Sequence, residues 1–161
     1  MQDEQKAIDN YQKTLQMTPN DAGLHNNLGS VYAEMGKVAD AQAEFQKAAD
    51  LNPSGASGYY YNLGVVMVNQ GKMNDAAVAL KKATDLGPNN ANAFYWYGMA
   101  LLGKAEAKPD GTVVAVPGTL EAFENYLKLA PNGQWAQAAQ ASIDQLKGTV
   151  PTEYKKAKKK G

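Results

Sequence analysis

The chain has 161 residues and no cysteine, which removes disulfides, thiol catalysis and thiolate metal sites at once. Arginine is absent as well, so every cationic side chain apart from His25 is a lysine, without the planar fork that grips phosphate or carboxylate in two places. The formal net charge of zero divides into an acidic body and a basic end, since six lysines against Glu153 lie from Lys147 onward.

In chain order, the charged opening (Met1 to Lys6) leads into no apolar block and does not read as a secretory signal. Residues 1–18 read as a helix that carries Ala7 and Tyr11 and is closed by Pro19. Next, Leu28, Val31, Tyr32 and Met35 recur at i, i+3, i+4 and i+7, the stripe of a second helix, with Gly36 as its stop. Val38, Ala41, Phe45 and Ala48 share a face of a third, which Pro53 closes.

The pattern then returns. Asn62-Leu63-Gly64 follows Asn27-Leu28-Gly29 at an offset of 35, and so do Gly71-Lys72 after Gly36-Lys37, Ala76 after Ala41 and Leu80 after Phe45. Phe94-Tyr95-Trp96-Tyr97-Gly98 opens a further unit, closed late by Phe123, Tyr126 and Pro131. Pro88 and Pro131 lie 43 residues apart, and the surplus falls in 104–119, where Pro109-Asp110-Gly111 signals a turn and Val113 to Val116 an extended stretch. Trp135, Ala138, Ala139, Ile143 and Leu146 mark a last amphipathic helix. A helix pair of this size cannot bury its stripe alone and must stack on neighbours.

Leu28, Gly29, Tyr32, Ala41, Phe45, Ala48 and Pro53 match, residue by residue, the motif of the tetratricopeptide repeat family, which the chain resembles over roughly 1–147. Leu63, Gly64, Ala76, Ala83 and Pro88 repeat the match, with Met67 and Leu80 where aromatics are usual. The resemblance implies an all-α solenoid, a right-handed superhelix of helical hairpins with a C-terminal capping helix. Its divisions are a half repeat (1–19), repeats at 20–53, 54–88 and 89–131 with the insertion at 104–119, a cap at 132–147 and a basic tail at 148–161. The half repeat favours a fragment of a longer protein. The long last repeat and the APNGQWAQAAQASIDQL cap are similar to the C-terminal part of bacterial tetratricopeptide proteins, which leaves cytoplasm or periplasm as compartments.

Such proteins receive a peptide or protein segment in a concave groove lined by the first helix of each repeat. The matching positions are Asn26, Asn27, Ser30 and Glu34; then Tyr61, Asn62, Val65 and Asn69; then Asn92, Tyr95, Trp96 and Met99. Asparagine can both donate to and accept from a ligand's backbone, and Tyr and Trp offer area at low entropic cost. Tyr97 aligns with Leu63 and is expected in the core, while Asn27 and Asn62 could instead bond adjacent repeats. A subclass of the family clamps a chaperone's C-terminal carboxylate with lysines, an arginine and asparagines, and this chain has neither lysine nor arginine at the matching positions. Asn26, Ser30, Asn62, Asn92 and Trp96 stand at those positions, so the expected ligand is neutral-polar with apolar side chains.

Enzymatic function is not expected, nor any cofactor or metal. The lone histidine excludes a His-pair metal site, and His25 and Glu34 lie nine residues apart, about 13 Å along a helix. No run nears the ~18 apolar residues of a membrane span. Two rival partners stand beside a peptide ligand. One is a second copy of the chain, docked on an exposed face of Ile8, Tyr11 and Leu15; the other is a polyanion held unspecifically by Lys155 to Lys160. Specific nucleic-acid binding is not expected, because Tyr154 is the tail's lone stacking group.

Overall fold

The structure is a computed structural model that describes residues 2–107 and 113–149. It is helical: α1 (Gln2–Met17), α2 (Ala22–Glu34), α3 (Val38–Leu51), α4 (Ala56–Asn69), α5 (Met73–Leu86), α6 (Ala91–Leu102), α7 (Thr119–Leu129) and α8 (Ala136–Thr149). The extended stretch expected near Val113 supplies β2 (Val113–Val114), paired antiparallel with β1 (Glu106–Ala107). Two compact units divide at Asn90 and Ala91. Residues 150–161 of the basic tail and the Pro109-Asp110-Gly111 turn lie outside the described residues, while Gly148 and Thr149 continue α8 past the expected end of the cap.

In the first unit, α2 pairs with α3 and α4 with α5. The Asp21 carboxylate caps α2 by accepting from Leu24 N–H at 3.0 Å. Both first helices end alike. Gly36 and Gly71 each sit at φ +72°, where a side chain would be strained, and the next amide reaches back to Tyr32 and Met67 carbonyls at 2.8 and 2.9 Å. That turn reverses the chain into α3 and α5.

Small residues let the paired helices close. A Cβ on Gly29 would lie 3.1 Å from the Phe45 ring, and one on Gly64 would lie 2.3 Å from Leu80. Ala41, Ala48, Ala76 and Ala83 are fully buried, so helix backbones meet with little between them. α1 packs on α2, with Gln12 Nε2 donating to the Tyr32 hydroxyl at 3.0 Å. The exposed α1 face expected from sequence is therefore partly covered: Ile8 is buried, Tyr11 and Leu15 are half-buried, and Met17 stays exposed.

In the second unit, α6 pairs with α7, and Gly98 approaches the Phe123 ring as Gly29 does Phe45. α8 packs on α7 through Ile143, Leu146 and Ala139, all buried, while Ala138 faces solvent. The core is aromatic. Tyr95 stacks on Trp135 at 4.8 Å and 5° and meets the rings of Phe123 and Tyr126 at 5.9 and 5.4 Å. Tyr95 is therefore a core residue and not a groove residue, because the Trp135 indole covers its face. Tyr97, expected in the core, is only half-buried.

Candidate peptide interface

α2 and α4 place most of the first unit's expected groove residues around one pocket of about 380 Å³. Ser30 and Glu34 enter it from α2, and Tyr61, Asn62, Val65 and Asn69 from α4. The i, i+4 and i, i+3 spacings put each set on one helix face. Sequence reasoning missed Ala33, Phe45, Val66 and Gln70, which also line it. Ala33 was legible as the i+3 neighbour of Ser30, whereas Phe45 reaches the pocket only because Gly29 lets its ring approach α2.

Asn26 and Asn27 are not among its lining residues; they belong to a hydrogen-bonded amide chain beside it. Asn62 Nδ2 donates to Asn26 Oδ1 at 2.9 Å, and Asn26 Nδ2 donates to Asn27 Oδ1 at 3.3 Å. The Ser30 hydroxyl donates to the Asn26 carbonyl at 3.1 Å. The asparagines thus bond α4 to α2 while Asn62 still lines the pocket.

On α6, Asn92 is exposed, and Trp96 and Met99 are half-buried against the aromatic core. Trp96 Nε1 is buried with no hydrogen-bond partner among the described residues. Burial, helped by the neighbouring Tyr126, raises the Tyr95 hydroxyl pKa above the ordinary tyrosine range.

His25 is engaged in structure. Its Nε2 can meet the Pro19 carbonyl at 3.0 Å only as a donor, and its Nδ1 lies 2.5 Å from Glu44 Oε2. Its acidic partner is thus Glu44 of α3, not Glu34, and both ring nitrogens are committed. A second pocket, of about 260 Å³, lies among α3, α4 and α5, where Lys82 Nζ sits 4.8 Å from the Tyr60 ring centre. Among the described residues, no helix is long and apolar enough to cross a membrane.

Two family models match. One, described as TPR repeat, covers residues 3–36; the other, described as Tetratricopeptide repeat, covers 26–91 and 61–108. The chain belongs to the tetratricopeptide repeat family.

No curated protein sequence matches the tetratricopeptide chain. Solved structures do. The crystal structure of MamA shares 26% identity over 97% of this chain and 92% of its own, with a TM-score of 0.65. The first TPR of Spaghetti (RPAP3), bound to HSP90 peptide SRMEEVD, is similar at 20% identity over 79% of this chain and 95% of its own, with a TM-score of 0.64. YrrB, a TPR protein with an unusual peptide-binding site, shares 20% over 89% of this chain and 71% of its own, at a TM-score of 0.60. At those identities the last two share the fold.

Proposed function

We propose that the chain is a protein-interaction scaffold that holds an extended peptide segment in the pocket between α2 and α4. The carrying observation is the pocket's composition. Ala33, Val65 and Val66 offer an apolar floor, while Asn62, Asn69 and Gln70 can pair with a peptide backbone. An open site with those two properties suits an extended chain, whose amides need partners and whose side chains need apolar contact. The peptide bound to the Spaghetti domain and the peptide site of YrrB support this reading by likeness of fold. In the second unit, Asn92, Trp96 and Met99 of α6 are contact candidates of their own, whereas Tyr95 is buried.

The test uses peptides selected from a displayed random library on the full chain. Val65→Trp plugs the pocket and should weaken the selected peptides about tenfold or more, with helicity unchanged. Undiminished binding by that variant would remove the pocket from consideration. Self-association through α1 has less support, because Ile8 is buried and Met17 is the exposed large apolar side chain of that helix.

A further inference from the structure

Resting on that reading, we infer that the α2–α4 pocket selects a lysine or arginine side chain in the segment it holds. Of the described residues lining the pocket, Glu34 alone is charged, and it is exposed without an ion pair or hydrogen bond among the described residues. Two neighbouring polar groups are committed so that they present acceptors. Asn62 commits one of its two Nδ2 hydrogens to Asn26 and keeps its carbonyl oxygen as an acceptor beside the pocket, and Ser30 spends its proton on the Asn26 carbonyl, which leaves lone pairs. A carboxylate, an amide oxygen and a hydroxyl oxygen form a set for a group that only donates.

Lysine and arginine side chains are such groups, carrying several N–H donors and no acceptor. An acidic side chain would instead meet Glu34 with like charge and find no cation among the lining residues. The wider field agrees in sign. Residues before Lys147 carry fifteen acidic side chains against ten lysines, a formal net of −5. The apolar floor of Ala33 and Val65 suits the methylene stem of a long basic side chain, whose charged head then reaches the rim at Glu34.

The experiment selects displayed random peptides on the full chain and on Glu34→Gln, Glu34→Lys and Val65→Trp. The parent should enrich Lys or Arg at one fixed position, and Glu34→Lys should replace that preference with Asp or Glu. For one parent-selected peptide, Glu34→Gln should cost about fivefold in affinity, and so should exchanging its basic residue for norleucine. The two changes together should cost little more than either alone, the signature of a direct pair. A parent pool without basic preference, or costs that simply multiply, would overturn the inference. If Val65→Trp still abolishes binding in that case, the pocket stands and only its charge selectivity falls. If Val65→Trp binds the parent's peptides undiminished, the pocket falls and the inference falls with it.

Discussion

Tyr61 and Tyr95 occupy the same repeat position, three residues before the glycines Gly64 and Gly98, yet their surroundings differ. Tyr61 is half-buried and lines an open pocket; Tyr95 is 7% exposed and stacked on an indole. The helix hairpin under each is built alike, from a glycine facing a large apolar side chain on the partner helix: Leu80 in one case, Phe123 in the other. What differs is Trp135, delivered by the segment before α8 and held there by its backbone N–H donating to the Tyr126 hydroxyl at 3.0 Å. A groove position becomes a core position when a following element lays an aromatic ring on it.

The sharpest way to break this contrast is to remove that ring. Trp135→Ala deletes the stacked partner of Tyr95 and an edge contact of Trp96. It should destabilise the second unit by about 3 kcal/mol, the low end for a large aromatic because Trp135 is only half-buried. Urea unfolding gives the loss, and the intrinsic fluorescence of Trp96 should shift to the red as its surroundings gain water. A loss below about 1 kcal/mol would mean that Trp135 merely covers Tyr95 and does not hold it.

The repeat register and the closing turns were legible because backbone requirements write themselves as fixed residues. Gly36 and Gly71 sit where φ is +72°, and Gly29 and Gly64 where a Cβ would crowd the facing helix. Exposure of the aromatics was not legible in the same way. Whether Tyr95 is covered depends on Trp135, forty residues further along, and an i, i+3 pattern within α6 carries no trace of it. The amide bond between Asn62 and Asn26 was foreseeable only in kind. Alignment pairs Asn62 with Asn27, whereas the bond runs diagonally to Asn26. Glu34 and Ser30 were found by face alone; that the Ser30 proton is spent on the Asn26 carbonyl, so that its hydroxyl offers lone pairs, required the hydrogen-bond pattern.

Two glycines of one helix sharpen the packing side of the comparison. At Gly64 a Cβ would fall 2.3 Å from Leu80, which is fully buried and cannot retreat, so Gly64→Ala should cost about 2 kcal/mol. At Gly58 on the same helix a Cβ meets nothing within 4 Å, and Gly58→Ala should stabilise by about 0.5–1 kcal/mol through helix propensity. Opposite signs in the two urea midpoints would show that helix contact, not backbone freedom, fixes glycine in the first unit's hairpins. Two gains would place the requirement elsewhere.

The smallest expected effect concerns the Tyr95 hydroxyl itself. Burial keeps it neutral to higher pH in the folded chain than in the unfolded one, where it ionises near pH ~10 like any tyrosine. Below that value both states hold the proton, and the group contributes no slope. Above it the unfolded state binds fewer protons than the folded state, so stability must fall as pH rises, until the folded hydroxyl also ionises. Tyr95→Phe removes this one contribution and leaves the ring stack in place. Urea unfolding of parent and variant at pH 9 and pH 11 should therefore show the parent losing more stability between the two values. Equal losses would mean that the Tyr95 oxygen stays in contact with water while its ring is stacked on Trp135, so that only the ring of this groove position has been converted to core.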